Sequence, residues 1–488
     1  MKINFVYPNL YTPLCFSPAI QILSAVLKEA GHETCLTHIN QEMIPDDEAL
    51  IINDIKKNNP DIIAFTCTSL EYARTNEIAG AIKKEINLPV ILGGVHASVS
   101  SQDFESSNFD AFVLGEGENT IISIANGEIK PEGIIIGKTV KDLDSLPFHD
   151  WDIIDSKKII DNKNGWVDVG FSRDCPFDCA FCSNKHLRKI KGITTIRKRS
   201  INKVIDELKY IHSRFNVKVF NFADDDFTLN RRWLYDFLEL YKKKFYDKHS
   251  IKYVIQSRVD TFLEETAKRL KESGCIEVQF GVETGSQQLR DFLDKGVTNK
   301  QIFDAFKLCQ KYHINTYAYV IFGIPNETEA DVNLTMKFLS EIKPNIIRPT
   351  FLIPLRGTKI YNYCIEHNII KKNVTAWNFE SPLKIDSIDE ETLLKYWILF
   401  PWIVNYKLGY NKYKEGIDTF FKLDYDGLRK PETFNELLDK DQEYSRMMKG
   451  KNLDHYIYKE EKFKGEQRAF RLNRLQLVKG SIENAASN

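Results

Sequence analysis

Three cysteines lie close together in the segment Arg173-Asp-Cys-Pro-Phe-Asp-Cys-Ala-Phe-Cys182. They are Cys175, Cys179 and Cys182. Thiolates are the ligands of iron–sulfur clusters, and three of them leave one iron of a 4Fe–4S cluster open for another molecule. A structural zinc site is the alternative, but it normally needs four protein ligands, and His186 is the only obvious local candidate for the fourth. The spacing therefore favours a cluster with one open iron.

Short motifs rich in aspartate or glycine follow the cysteines in chain order. They are Phe222-Ala-Asp-Asp-Asp-Phe-Thr-Leu-Asn230, Arg258-Val-Asp260, Gly281-Val-Glu-Thr-Gly-Ser286, Gly323-Ile-Pro-Asn-Glu-Thr328 and Pro354-Leu-Arg-Gly-Thr358. Each is a weak signal alone, because aspartate runs usually lie in solvated loops and glycine-rich segments usually form turns. Their order behind the cysteines is much harder to attribute to chance.

This set of motifs resembles the radical S-adenosylmethionine (SAM) superfamily, in which an aromatic residue, here Phe181, precedes the last cysteine. In that superfamily SAM binds the open iron through its amino and carboxylate groups. The resemblance implies that Asp224 and Asp225 bind the methionyl amino group, which suits acceptors of an ammonium. It also implies that Glu283 approaches the ribose and that Ser286 contacts the methionyl group.

The same resemblance places three further residues near SAM. They are Arg258, Gly323 and Pro325, the last two in the turn near the adenine. Many members of the superfamily carry glycine before the first cysteine, and this chain has Asp174 there. That departure concerns only the local backbone geometry.

The first part of the chain alternates predicted strands and helices, which is typical of a doubly wound parallel sheet. The predicted strands are Ile3–Tyr7, Glu33–His38, Ile62–Thr66 and Val90–Leu92, and the predicted helices are Ala19–Ala30, Glu48–Asn58 and Thr75–Glu85. Polar or glycine-bearing loops follow two of these strands, and ligands of this architecture bind at the carboxyl ends of strands. We therefore expect an α/β, Rossmann-like (flavodoxin-like) binding domain.

A second series of strands and helices predicts a partial (β/α)6 TIM barrel whose active site lies at the carboxyl ends of its strands. Turn residues accumulate ahead of it, which is typical of a linker. After the barrel, helical periodicity predicts a mainly helical C-terminal region. The expected division is residues 1–128 for the Rossmann-like domain, 129–165 for the linker, 166–372 for the barrel and 373–488 for the helical region.

A Rossmann-like domain ahead of such a barrel resembles the cobalamin-binding subclass of radical SAM enzymes. Three segments carry this resemblance: Thr68-Ser69-Leu70, Gly93-Gly94 and Gly115-Glu116-Gly-Glu118. Small residues there would let the backbone approach cobalamin closely. The DxHxxG sequence that supplies a cobalt-ligating histidine is missing, and the subclass commonly lacks it. An ordinary flavodoxin-like pair of turns is the alternative interpretation of the first two segments.

Methylthiotransferases also place an α/β domain before a radical SAM barrel, and their first domain holds a second cluster on three cysteines. Cys15, Cys35 and Cys67 are the candidates here, but Cys35 lies inside a predicted strand, where single cysteines commonly act as small hydrophobic residues. No RNA-binding tail is evident either. The three remaining cysteines are expected to be core or helix residues: Cys275, Cys309 and Cys364.

The overall composition excludes a strong electrostatic attraction to nucleic acid or anionic lipid, because 67 Lys and Arg balance 68 Asp and Glu. No apolar stretch approaches the roughly 20 residues needed to span a bilayer. Nine scattered or clustered cysteines do not resemble the framework of a small secreted domain. We therefore expect a cytoplasmic protein that acts on a small molecule.

The resemblance implies that the cluster reduces SAM to a 5′-deoxyadenosyl radical, with an electron from a donor such as flavodoxin or ferredoxin. With cobalamin bound, it implies methylation of an unactivated carbon, for which one SAM supplies the methyl group and a second the radical. Cyclisation, ring rearrangement or anaerobic oxidation with the same cofactors remains an alternative, as does a regulatory protein without turnover. No catalytic side chain is named, because the cofactors carry the chemistry.

Overall fold

The computed structural model describes residues 1–371, 381–458 and 470–473. The chain forms two compact units. The first unit comprises residues 1–178, 182–225 and 355–358, and the second unit comprises residues 179–181, 226–354 and 359–488.

The first unit begins with a six-stranded parallel sheet in the order β2-β1-β3-β4-β5-β6. Its strands are β1 (Lys2–Pro8), β2 (Glu33–Ile39), β3 (Ile62–Thr66), β4 (Val90–Gly93), β5 (Ala111–Leu114) and β6 (Gly133–Ile136). Its helices are α1 (Pro18–Glu29), α2 (Glu48–Asn58), α3 (Tyr72–Glu85), α4 (Gly94–Val99) and α5 (Glu118–Ala125). Two clusters of buried apolar side chains pack around these elements, so the Rossmann-like prediction is confirmed.

Strand β5 and helix α5 were not among the predicted elements, and two further features of this sheet differ from the sequence expectation. Helix α4 begins at Gly94, where a loop was expected after the fourth strand. Strand β6 lies inside the interval predicted as a linker. It is an edge strand whose Ile134 and Ile136 are 50% and 70% exposed, so it lacks the buried apolar run that marks the other strands.

The rest of the first unit carries the cysteine loop apart from residues 179–181. Its strands are β7 (Trp166–Val169), β8 (Ser172–Arg173), β9 (Arg197–Lys198) and β10 (Val219–Phe222), and its helices are α6 (Ser156–Asn162), α7 (Asn184–Lys191) and α8 (Ile201–Arg214). Strands β7 and β10 pair in parallel, whereas β8 and β9 form a short antiparallel pair. Strand β8 leads directly into the cysteine loop, and α7 follows it.

The second unit continues the strand and helix alternation. Its strands are β11 (Lys252–Ser257), β12 (Cys275–Glu283), β13 (Asn315–Phe322), β14 (Ile346–Phe351), β15 (His455–Tyr458) and β16 (Phe470–Asn473). Strands β11 to β14 pair in parallel in chain order, and β16 pairs antiparallel with both β14 and β15. The predicted βα repeats of a partial barrel are therefore present.

Helices cover most of the remaining described residues of the second unit. They are α9 (Arg231–Tyr241), α10 (Asp247–His249), α11 (Glu264–Glu272), α12 (Gln287–Phe292), α13 (Asn299–Lys311), α14 (Glu329–Ile342), α15 (Lys359–Glu366), α16 (Glu390–Ile398), α17 (Phe400–Lys407), α18 (Lys412–Phe420), α19 (Tyr425–Arg429) and α20 (Pro431–Gly450). Helices α13 and α14 each begin with a capping box, which satisfies backbone N–H groups at the helix start. The mainly helical C-terminal region is confirmed for its described residues. No helix in the described ranges is long and apolar enough to cross a membrane.

Candidate active site

The loop between β8 and α7 is held by one buried arginine. The Arg188 guanidinium donates hydrogen bonds to the backbone carbonyls of Cys175 and Phe177, the latter at 3.1 Å. It also pairs with the Asp178 carboxylate. Because Arg188 is on α7, the helix that follows the loop fixes the backbone around the first cysteine.

Asp174 has a left-handed backbone with φ of +71°. Glycine adopts this conformation without strain, and aspartate is among the few other residues that tolerate it. The Asp174 carboxylate is buried and pairs with Lys191 and with Arg197. The departure from glycine therefore leaves the geometry intact and adds a buried charge next to Cys175.

The three cysteine side chains differ in exposure, since Cys179 is buried and Cys175 and Cys182 are partly exposed. In the described parts of the chain, no three His, Cys, Asp or Glu side chains are gathered closely enough to hold a metal ion. The donor set itself fits an iron–sulfur cluster, because three thiols on one loop match its preferred ligands. Binding would draw the three sulfur atoms together.

A buried arginine donates toward the second cysteine. Arg258 Nη1 lies 3.6 Å from Cys179 Sγ. The same guanidinium makes two 2.9 Å hydrogen bonds to the Asp260 carboxylate and a 2.8 Å hydrogen bond to the Lys295 carbonyl. A hydrogen-bond donor fixed beside the sulfur atom suits a cysteine that ligates iron.

Glu283 stands at the end of β12 in an ion pair with a buried lysine. Its Oε1 accepts a 2.8 Å hydrogen bond from Lys295 Nζ, and both side chains are at most about one-tenth exposed. Burial alone would lower the pKa of Lys295, but Glu283 outweighs it and the pKa is raised. The Lys295 ammonium also lies 6.0 Å from the centre of the Phe181 ring.

Gly281 leaves the space that this ion pair occupies. A Cβ atom at position 281 would lie 2.2 Å from Glu283 Oε1 and 2.7 Å from Lys295 Nζ. The glycine of the GxE motif is therefore required for the Glu283 side chain to fold back along β12.

Gly281→Ala is expected to displace the Glu283 carboxylate and weaken SAM binding by about tenfold, the usual cost of losing a charged hydrogen bond. Equilibrium binding of SAM to the protein carrying its cluster measures this. The chain should fold normally, because both clashing atoms are the ends of flexible side chains. Unchanged SAM affinity would contradict the role of Glu283.

Asp224 has one oxygen committed to the backbone and one free for a ligand. Its Oδ1 accepts hydrogen bonds from the N–H groups of Phe171 and Ser172, at 3.1 and 2.6 Å. Its Oδ2 is buried and has no hydrogen-bond partner among the residues that the structure describes. Burial raises the pKa of this carboxyl despite the nearby Lys198 cation and these hydrogen bonds. An unpaired buried acceptor fits the ammonium of SAM.

Two other motif residues already have partners. Asp225 accepts a 2.9 Å hydrogen bond from Asn184 Nδ2, and Ser286 Oγ accepts one from the Leu289 N–H at the start of α12. The third aspartate of the run, Asp226, is fully buried and accepts from Thr228. Asp226 therefore has a structural role.

The turn after β13 is organised by Glu327, a residue that our sequence analysis quoted in the motif but did not assign to the site. Gly323 has φ of +74°, and its N–H donates a 2.6 Å hydrogen bond to Glu327 Oε2. Pro325 is buried in the same turn. Burial raises the pKa of Glu327 to about 8, against the opposing effect of backbone hydrogen bonds from Gly323 and Ile324.

Glu327→Gln is expected to remove a pH-dependent loss of stability. Because the folded pKa is about 8 and the ordinary pKa of a glutamate is 4.5, the folded state binds more protons between these pH values. Stability therefore falls as pH rises, by on the order of 1 kcal/mol per pH unit. Glutamine keeps the acceptor without the charge. The melting temperature of the variant relative to the unaltered protein should therefore rise from pH 5 to pH 8. A difference that does not change with pH would contradict the buried acid.

A cavity of about 490 Å³ lies in the first unit. Gly93, Gly94, Gly115 and Glu116 line it. Apolar residues from β1, α1, β3, β4 and β5 form much of the remaining wall: Phe5, Ile20, Ile22, Leu23, Ala64, Ile91 and Val113. The glycines let the backbone approach a ligand, and the apolar wall suits a heterocyclic group, so the cavity fits part of cobalamin.

The same cavity is also lined by the segment that carries the cysteine loop. Asp174, Lys191 and Asp225 belong to its wall. One cavity in the first unit therefore brings together four of the seven residues predicted for cobalamin and an aspartate predicted for SAM.

Thr68, Ser69 and Leu70 lie elsewhere. They form the turn before α3, and they are not among the described residues that line the cavity. Thr68 Oγ1 donates a 2.8 Å hydrogen bond to Glu71, and Ser69 Oγ lies 3.2 Å from the ring of the buried His96. A structural role in the turn explains these side chains.

The cysteines outside the loop have separate surroundings. Cys15 contacts the Tyr7 hydroxyl at 3.2 Å, and Cys35 lies 3.1 Å from Asn4 Oδ1. Burial raises the pKa of Cys67. The remaining three are buried, as expected for core residues: Cys275, Cys309 and Cys364.

Two family models match this chain. The B12 binding domain matches residues 12–125, and the Radical SAM superfamily matches residues 169–339. A Pyrococcus horikoshii protein, "Uncharacterized methyltransferase PH0819", is 30% identical over 369 residues, covering 71% of this chain and 78% of the relative. "Anaerobic magnesium-protoporphyrin IX monomethyl ester cyclase" of Cereibacter sphaeroides is 25% identical over 424 residues, covering 78% and 66%.

Among solved structures, the fold resembles "Cobalamin-dependent S-adenosylmethionine radical enzyme OxsB with aqua-cobalamin and S-adenosylmethionine bound". The TM-score is 0.65 at 18% identity, and the match covers 93% of this chain and 75% of that one. The radical SAM domain implies a 4Fe–4S cluster and SAM, and the B12-binding domain implies cobalamin. The chain belongs to the radical SAM superfamily, and to the members that carry a B12-binding domain ahead of the radical SAM domain.

Proposed function

We propose that this chain is a cobalamin-dependent radical SAM enzyme that methylates an unactivated carbon of a small-molecule substrate. The observation that carries the proposal is the shared cavity of the first unit. Gly93, Gly94 and Glu116 line it together with Asp174 and Asp225. When bound, the cluster and SAM supply a radical that takes hydrogen from carbon, and cobalamin supplies the methyl group.

Different side chains bind the cluster and SAM. Cys175, Cys179 and Cys182 ligate three irons, and Arg258 stabilises the Cys179 thiolate through its 3.6 Å contact. Asp224 accepts a hydrogen bond from the SAM ammonium through its unpaired Oδ2.

Other motif residues surround the rest of SAM. Glu283, held by Lys295, faces the ribose, and the turn from Gly323 to Pro325 supports the adenine. The Ser286 hydroxyl accepts a hydrogen bond at the start of α12, and it contributes by fixing the backbone there.

The relatives support methylation, and one of them also supports the alternative, cyclisation. PH0819 is named as a methyltransferase, whereas the Cereibacter sphaeroides relative is named as a cyclase. Methylation consumes one SAM as methyl donor, leaving S-adenosylhomocysteine, and another as radical source, leaving 5′-deoxyadenosine. Cyclisation or anaerobic oxidation needs only the second. The two co-products therefore separate the functions.

The test is an anaerobic incubation of the reconstituted enzyme with a metabolite extract, a chemical reductant, hydroxocobalamin and SAM deuterated at its methyl group. We expect a product in which one hydrogen is replaced by a CD3 group, and near-equal amounts of both SAM co-products. A product that gains no label, with 5′-deoxyadenosine alone, would favour cyclisation. Full product formation without cobalamin would refute the proposal.

Three further features belong to the same proposal. A flavodoxin or ferredoxin supplies the electron, because cluster reduction needs an external donor. The location is cytoplasmic, which the nine free cysteines support. The four-part division at residues 128, 165 and 372 is supported by the family matches to residues 12–125 and 169–339, except that β6 of the first sheet lies within the interval 129–165.

A further inference from the structure

We propose that Arg197 is a positioning residue that ties the cobalamin cavity wall to the backbone in front of the first cluster cysteine. The inference rests on the proposed function, because it assigns cobalamin to the cavity and the cluster to Cys175. Neither the motifs nor the family resemblance includes Arg197.

Arg197 binds two carboxylates that are far apart in the sequence. Its Nη2 lies 2.6 Å from Glu116 Oε1 and 2.5 Å from Asp174 Oδ2. Its Nε donates to the same Asp174 oxygen at 2.7 Å, and its Nη1 to Glu116 Oε2 at 3.1 Å. Glu116 and Asp174 both line the cavity, and Asp174 directly precedes Cys175.

The backbone around Arg197 is fixed on both sides. Strand β9 pairs with β8 so that Arg197 stands opposite Arg173. Arg197 also donates to the Val140 carbonyl, while the Val140 N–H donates a 2.8 Å hydrogen bond to Glu116. A change in the position of Glu116 is therefore transmitted to Asp174 through one rigid guanidinium.

Arg197 belongs to a larger network of charges. Three acids and three bases form connected ion pairs, most of them largely buried: Glu116, Glu118, Asp174, Arg173, Lys191 and Arg197. Removing one member of such a network leaves a buried charge without compensation. The planar fork of arginine binds both carboxylates at once, which the single ammonium of lysine does less well.

The consequence for the cluster has a definite sign. Without Arg197, Lys191 is the only ion-pair partner left to Asp174 among the described residues, so more negative potential acts on the neighbouring Cys175. Negative potential opposes the addition of an electron to the cluster. The reduction potential should therefore fall in Arg197→Gln, and it should return toward its original value in the double variant Asp174→Asn, Arg197→Gln.

The experiment uses the full-length reconstituted protein and two measurements. The cluster reduction potential is obtained from an EPR-monitored redox titration, and the dissociation constant of hydroxocobalamin is obtained by equilibrium binding. For Arg197→Gln we expect a lower potential and about tenfold weaker hydroxocobalamin binding, since Glu116 loses a charged hydrogen-bond partner. Arg197→Lys should give smaller changes in both.

The matched control is Arg214→Gln, which removes the ion pair of Arg214 with Asp152 elsewhere in the first unit. It should change neither quantity. If Arg197→Gln and Arg197→Lys lower only the melting temperature, Arg197 is a scaffold residue and the inference is wrong. If the unaltered protein binds no cluster or no hydroxocobalamin, the proposed function fails, and the inference falls with it.

Discussion

Replacement of Cys175, Cys179 or Cys182 by alanine is expected to abolish 5′-deoxyadenosine formation completely. Each substitution removes one of only three protein ligands, and the loop contains no fourth cysteine that could replace it. Because the cluster delivers the electron that cleaves SAM, no side chain can substitute for it. Iron content and 5′-deoxyadenosine yield, measured anaerobically on reconstituted protein, report the loss.

Cys35→Ala is the matched control for these variants. Cys35 is a partly exposed cysteine of β2 that hydrogen-bonds Asn4. It should retain full iron and full SAM cleavage. If the loop variants keep their biological output while SAM cleavage is lost, the chain acts as a regulatory protein, and the enzyme proposal is wrong.

Gly93→Leu is expected to block the cavity without straining the backbone. Gly93 has φ of −117°, an extended conformation that any residue adopts, and a Cβ there would meet only the Phe65 carbonyl oxygen at 3.9 Å. The leucine side chain would then occupy space needed by cobalamin. We expect hydroxocobalamin binding to weaken at least about tenfold, the cost of one or two kcal/mol of overpacking.

The neighbouring Gly94 is unsuitable for this test. It has φ of +86°, and its Cβ would lie 2.3 Å from Thr66 Oγ1, so any substitution there would strain the fold. Gly93→Leu separates the two cofactors because it leaves the cysteine loop unchanged.

The diagnostic outcome for Gly93→Leu is a divergence between the two SAM co-products. 5′-Deoxyadenosine should still form, whereas S-adenosylhomocysteine and the methylated product should be lost. Gly450→Leu, at the open end of α20, is the control and should behave like the unaltered protein. Normal cobalamin content in Gly93→Leu would mean that the cofactor binds elsewhere.

Most of the fold could be predicted from the sequence because its strands are short, apolar and bounded by turn residues. The predicted strand Ile62–Thr66 is reproduced, and so is the helix Glu48–Asn58. Strand β6 was missed since an edge strand need not bury its side chains, and Ile134 and Ile136 are exposed. Helix α4 was missed because Gly93 and Gly94 are strong turn signals.

The sequence by itself determined the ligand chemistry of this protein. The spacing of three cysteines defines a donor set for iron whatever the fold, because thiolate identity and number are local properties. The motif order around Asp224, Glu283 and Gly323 likewise indicated SAM. Such motifs can be recognised in a sequence because the residues that bind one part of the ligand are neighbours in the chain.

Only the tertiary structure decided which residues act together. Arg197 and Lys295 carry no local signal for their roles, since their partners lie 12 to 81 residues away. Glu327 lies within a quoted motif, but its burial, which raises its pKa, depends on the packing around the turn. The structure also separated Thr68–Leu70 from the cavity and brought Asp174 to its wall. Burial and charge pairing depend on three-dimensional packing, so the three cysteines define the chemistry, and the fold decides what surrounds it.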